Sequence, residues 1–191
     1  MSFRNAFLST LIIEVAIALL AVINYGVSLE ALQALTRFSG RASLFIFSII
    51  FLFQHHQFIR IKSVLSNKYY LIFAIAHSIH LMELLTYVYL SDIPLVPIRL
   101  TGGFLAYLFI FAMPWIATLF QNATITSKQF SILTLIYLYY VWLIFFMTYL
   151  PRVRGTIPNV GGSYSEHVIL LGWVSLMLGL KLSEGLLRKS K

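Results

Sequence analysis

The chain lacks cysteine and is poor in charged residues. None of its 191 residues is a cysteine, which excludes disulfides, thiol catalysis, thiolate-held iron–sulfur clusters and covalent haem attachment. Only 10% of the residues are charged, whereas a soluble domain carries about a quarter, so the charge is too sparse to coat a globule. Acidic residues are the scarcest, with 6 Asp and Glu against 14 Lys and Arg. These shortages argue against a soluble enzyme, a nucleic-acid partner and a disordered chain.

Hydrophobic residues make up 60% of the chain and form long runs, with the basic residues in short clusters between them. A membrane-spanning helix needs about 20 mostly apolar residues. The runs do not alternate with polar residues as the strands of a membrane barrel do. The sequence therefore predicts an all-α integral membrane protein, a single six-transmembrane-helix bundle surrounded by the lipid bilayer. The predicted spans are about 6–23, 42–59, 69–90, 103–120, 130–150 and 168–187.

The basic residues predict the orientation of the bundle, because short cytoplasmic loops carry an excess of Lys and Arg. Eight of them fall on the side of the termini and five on the opposite side. The first group is Arg4, Arg60, Lys62, Lys68, Lys128, Arg188, Lys189 and Lys191; the second is Arg37, Arg41, Arg99, Arg152 and Arg154. We therefore expect both termini in the cytoplasm. The first span contains Glu14 and no small-residue cleavage site, so it is expected to be an anchor rather than a cleaved signal peptide.

Ionisable residues concentrate in the third span, where His77, His80 and Glu83 follow one another at intervals of three. Ionisable groups inside a membrane are costly and mark candidate functional sites. On a helix with 3.6 residues per turn His77 and His80 share a face, and Glu83 lies at its edge. Two imidazoles on an inward face are suited to binding haem iron or a metal ion, or to relaying protons. The plainer alternative is that both are hydrogen-bonded to neighbouring helices.

Other ionisable residues lie nearer the ends of spans or alone. The His55-His56 pair, at the cytoplasmic end of the second span, is expected to be interfacial and solvated. His167, at the outer start of the sixth span, is a second-ligand candidate. Glu14 pairs with a histidine or a basic residue across the bundle, or is protonated. Lys181 and Glu184 are explained by a local ion pair or by snorkelling.

The order of several short motifs resembles the ferric reductase-like transmembrane family, which includes the haem-bearing membrane subunit of the bacterial methionine-sulfoxide reductase system. Asn24-Tyr25-Gly26 and then Arg37-Phe38-Ser39-Gly40-Arg41-Ala42 resemble that family's aromatic-Thr-Gly-Arg-small start of the second helix. The stretch from Lys68 to Leu81 resembles its third helix, in which a haem-ligating His precedes Leu, and Gly102-Gly103 fits the opening of the fourth. The likeness covers roughly residues 20–150. It implies a bacterial inner-membrane haem b protein, an oxidoreductase subunit that passes electrons across the bilayer to or from a partner protein.

The resemblance implies a particular set of haem ligands. It carries over His80, with His77 one turn away as the alternative. The family's fifth-helix histidines are replaced by Thr134 and Met147. The Met147 thioether is a conceivable iron ligand, as methionine is in cytochromes c, and His167 is another partner for His80. At most one haem can then be held.

Two further interpretations remain open from the sequence. One is a haem-free relative that acts as a scaffold or partner subunit of a membrane complex, which would explain Thr134 and Met147 directly. The other is a small transporter in which His77 and His80, with Glu83, form a metal or proton site. The chain carries no dinucleotide fingerprint, P-loop or flavin-binding segment, so any nucleotide-linked electron donor must be another polypeptide.

Overall fold

The computed structural model describes residues 3–54, 67–92, 97–157 and 161–189. This part of the chain consists of helices and turns and contains no strand. The helices are α1 (Phe3–Tyr25), α2 (Leu29–Phe53), α3 (Asn67–Leu90), α4 (Pro97–Gln121), α5 (Ser127–Val153) and α6 (Tyr164–Lys189). All six contain a stretch long and apolar enough to cross a membrane. The predicted all-α, six-helix membrane architecture is confirmed.

Helix α2 starts well before the predicted span. It begins at Leu29 rather than near residue 42, and the Ser28 side chain caps it by accepting a hydrogen bond from the Ala31 N–H at 3.2 Å. The polar side chains in the first half of α2 face other helices: the Gln33 amide, for example, donates to the Tyr87 hydroxyl at 2.7 Å. This polar segment is therefore helical, although its low mean hydropathy predicts a loop.

Helices α2 to α6 form a ring in which each packs against the next, and α6 also contacts α2. Helix α1 lies outside this ring against α2 and α3. Of its residues from Arg4 onward it buries four, Ala6, Thr10, Glu14 and Ala21, most of them small, as is usual where membrane helices approach closely. Its large apolar side chains, such as Ile12 and Ile23, are exposed and suited to contact lipid.

The end of the bundle near the 54–67 connection is filled by aromatic side chains. Tyr70 and Tyr137 meet edge to face with ring centroids 5.6 Å apart. Phe47 lies 5.5 Å from Phe73 and 6.4 Å from Tyr137 between ring centroids. Thr134 is fully buried in the same half. This half is therefore a packed core, which leaves the other half of the bundle to hold a site.

Candidate functional site

A cavity of about 870 Å³ lies inside the ring, away from the aromatic core. Its walls come from residues 36–41 of α2, 77–84 of α3, 102–110 of α4, 141–152 of α5 and 167–170 of α6. Because successive helices run in opposite directions, these segments meet at the end of the bundle opposite the 54–67 connection. Residues Thr156 and Ile157 of the following turn border the cavity at that end.

The two histidines of α3 both face this cavity. Their ring centroids are 5.4 Å apart. His77 stacks between Phe73 and Tyr107, at 5.2 and 4.9 Å between centroids. His80 lies against α2 at Gly40, where a Cβ atom would approach its Cε1 atom to 3.0 Å. The Nδ1 atom of each ring is buried and has no hydrogen-bond partner among the described residues. His80 also forms a hydrogen bond with the backbone of Thr36 in α2. The alternative in which the histidines are hydrogen-bonded to neighbouring helices therefore holds for His80 in part, and leaves both Nδ1 atoms without a partner among the described residues.

His167 reaches the same cavity from α6. It is 6% exposed, and neither of its ring nitrogens has a hydrogen-bond partner among the described residues. It lies in the first turn of α6, which begins at Tyr164, so its predicted position at the start of the sixth span is confirmed. There its side chain is buried in the cavity wall.

Three arginines line the cavity where α2, α5 and α6 come together: Arg37, Arg41 and Arg152. Arg41 forms an ion pair with Glu166 at 2.8 Å, and Arg152 donates to the Thr148 carbonyl of its own helix. Glu166 also caps α6, since its carboxylate accepts from the Ser163 N–H at 3.0 Å. The arginines outnumber this one carboxylate, so this end of the cavity is suited to anionic groups.

The structure separates Thr134 and Met147, the two α5 residues singled out from the sequence. Met147 lines the cavity, but half of its surface is exposed. Thr134 lies in the aromatic half with no exposed surface and is not in the cavity wall. Its position is thus part of the packed core and not of the cavity.

The two acidic residues of the inner bundle face each other rather than the histidines. The Ser39 hydroxyl donates to Glu14 at 3.1 Å, and it also lies at the Glu83 carboxyl. Glu83 does not line the cavity. Glu14 therefore finds a serine and a second acid, and not the histidine or basic partner that the sequence suggested. A combined His77, His80 and Glu83 site is not formed, because Glu83 turns towards α1 and α2.

The structure describes only some of the remaining ionisable candidates. The His55-His56 pair lies outside the described residues, as does the side chain of Glu184. The Lys181 ammonium donates to the Gln54 carbonyl at 2.6 Å and so satisfies the end of α2. Among the described residues no group of three or more His, Asp or Glu side chains is arranged to hold a bare metal ion.

Sequence reasoning missed the arginines and glycines of the cavity wall. Arg37, Arg41 and Arg152 were counted as loop charges, yet all three belong to helices. The spacing of these residues could have revealed them: Thr36 and Gly40, like Arg37 and Arg41, are four residues apart and would share a face of a helix. Interpreted as part of a helix, residues 36–41 predict a polar face directed into the bundle.

No family model, no curated protein and no solved structure matches the chain. The likeness to ferric reductase-like proteins therefore rests on the short motifs alone, and the function has to be argued from the cavity.

Proposed function

We propose that the protein is an integral membrane haem b protein that holds one haem in the cavity and exchanges an electron with a separate partner protein. The observation that carries this proposal is the content of the cavity wall. Three imidazoles and three guanidinium groups border one space inside an otherwise apolar bundle. Buried imidazole nitrogens without partners are costly in a membrane interior, and iron is a partner that they suit.

The residues of the wall fit a haem in size and chemistry. Ligand cavities of about 300–1,000 Å³ hold molecules of drug size, and this one, at about 870 Å³, is near the upper end. At Gly103 a Cβ atom would meet nothing within 4 Å, so α4 leaves space for a flat group. A haem needs only one or two axial ligands from the protein, so the lack of a three-residue metal group among the described side chains is no obstacle.

Bound haem supplies a one-electron redox couple, tuned by its ligands and surroundings. In this chain His80 is the α3 residue placed to hold the iron, and His77 is its alternative one turn away. The arginines that border the cavity near His167 would balance acidic groups on the haem. Tyr107 and Phe145 form part of the cavity wall.

The orientation and partner follow from the charges. Of the five basic residues opposite the termini, three face the cavity, so they do not act as loop charges. The remaining excess of basic residues on the side of the termini favours cytoplasmic termini, and the family resemblance implies a bacterial inner membrane. Since the sequence contains no nucleotide-binding motif, the electron donor or acceptor is another polypeptide.

The test is the visible spectrum of the protein purified in detergent from haem-replete cells. We expect a Soret band in the wild type and its loss in His80→Ala. Met82→Ala is the matched control, because Met82 lies on the same helix and is 68% exposed; it should keep the band. A colourless wild-type preparation would refute haem binding and favour the haem-free scaffold.

A further inference from the structure

Contacts with one segment of α2 bring His80 and His167 into the same region of the bundle. The His80 ring lies against Gly40. The next residue, Arg41, is bound to Glu166 at 2.8 Å, and His167 follows Glu166. Both histidines therefore lie near the Gly40–Arg41 segment of α2. His77 is three residues from His80, about 4.5 Å deeper along α3.

The two imidazoles also belong to different walls of the cavity. Helices α3 and α6 both pack against α2, but each has its other neighbour on the far side of the ring, α4 for α3 and α5 for α6. Both residues line the one cavity. A group held in that space is therefore accessible to His80 from one wall and to His167 from another.

The other candidates are less suited to be the second ligand. Met147 is half exposed, whereas His167 is almost fully buried with both nitrogens unpartnered among the described residues. Of the other α5 residues in the cavity wall, Val141 and Phe145 have no atom able to bind iron. The Tyr149 phenol also lines the cavity and lies near Arg152 and Arg41, so Tyr149→Phe is the control for it and should keep the low-spin spectrum. His77 has aromatic rings stacked beside it, Phe73 and Tyr107, which suits it to be part of the wall.

We infer that His80 of α3 and His167 of α6 are the two axial ligands of the group in the cavity. This inference rests on the proposed function, because it names the ligands of the proposed haem. It assigns the second ligand to the sixth helix, where the resembled family has it on the fifth. The role left to Met147 is that of an apolar wall residue.

The experiment compares His167→Ala with Met147→Leu in haem-loaded protein, by visible spectroscopy and electron paramagnetic resonance. Two histidine ligands give low-spin iron. His167→Ala should lose the low-spin signal, either by conversion to high-spin iron or by loss of haem from a protein that still elutes as a single folded species. Added imidazole should restore the low-spin signal where haem is retained. Met147→Leu should leave the spectrum unchanged.

A second variant keeps the inference testable if His167→Ala does not fold. His167→Met substitutes a thioether for the imidazole, and the His/Met pair raises the reduction potential of a haem, so its midpoint potential should lie above that of the wild type. An unchanged low-spin spectrum in His167→Ala, or an unchanged potential in His167→Met, overturns the assignment while wild-type haem binding stands. Absence of haem from the wild type refutes the proposed function itself.

Discussion

Gly40 is the position where a single added methyl group tests the placement of His80. A Cβ atom there would lie 3.0 Å from His80 Cε1, 3.4 Å from Nε2 and 3.6 Å from Nδ1. The first distance is shorter than an ordinary van der Waals contact, so the Gly40→Ala substitution must move the ring by a few tenths of an ångström. Because the ring faces the cavity, that movement changes where a ligand atom lies.

The two consequences of Gly40→Ala differ in size. Overpacking a well-filled site costs about 1–3 kcal/mol, and replacing a glycine inside a helix by alanine contributes about 1 kcal/mol in the opposite direction. The free energy of unfolding should therefore fall by about 0–2 kcal/mol. Disturbing the residues that orient a metal ligand typically lowers affinity by about 10–100-fold, and we expect a loss of that size in haem affinity.

The assay is a titration of haem into the haem-free protein, followed at the Soret band, beside thermal unfolding in the same detergent. Gly179→Ala is the control, because a Cβ atom at Gly179 of α6 would meet nothing within 4 Å. Gly179→Ala should be more stable by about the 1 kcal/mol that alanine contributes over glycine in a helix, and it should keep the wild-type haem affinity. If Gly40→Ala binds haem as tightly as Gly179→Ala and with the same spectrum, His80 is not positioned by α2 for ligation, and the reasoning fails.

Two further substitutions test the cavity and the acidic pair. Gly103→Leu should fill open space in the cavity wall and abolish haem binding without unfolding the protein. The control is Gly172→Leu, which is also in open space and should bind haem normally in the same titration. Equal haem binding by both variants would contradict the location of the site. Ser39→Ala removes the hydroxyl that donates to Glu14 and should lower stability by about 1–3 kcal/mol, measured by thermal unfolding. Ser175→Ala, where an exposed hydroxyl bonds only within its own helix, should change stability by less; equal losses would show that the buried hydroxyl has no special role.

The number and type of the helices could be predicted from the sequence, because a spanning helix requires a long apolar run whatever its neighbours are. The start of α2 could not be predicted in the same way. Its first half, from Leu29 to Arg41, has a polar face that is buried against other helices. Mean hydropathy measures how polar a segment is and not where its polar side chains point, so it assigns such a segment to a loop.

The sequence predicted which residues to consider as ligands, and their role as ligands stays a prediction. His77, His80, Met147 and His167 all line one cavity. The sequence already offered both Met147 and His167 as partners for His80, but it gave no ground for choosing between them. That choice depends on how deeply each side chain is buried in the bundle, which no local sequence pattern states.

The energetic cost of the cavity wall distinguishes a haem protein from a scaffold. Five buried nitrogen atoms of His77, His80, His167 and Arg37 have no partner among the described residues. A buried polar group that stays without a partner costs about 1–3 kcal/mol. A protein that served only as a scaffold would lower this cost by exchanging His167 for an apolar residue, so His167→Leu should raise its unfolding temperature. In a haem protein the same change removes an iron ligand, and the holoprotein should become less stable because bound ligand stabilises the folded state.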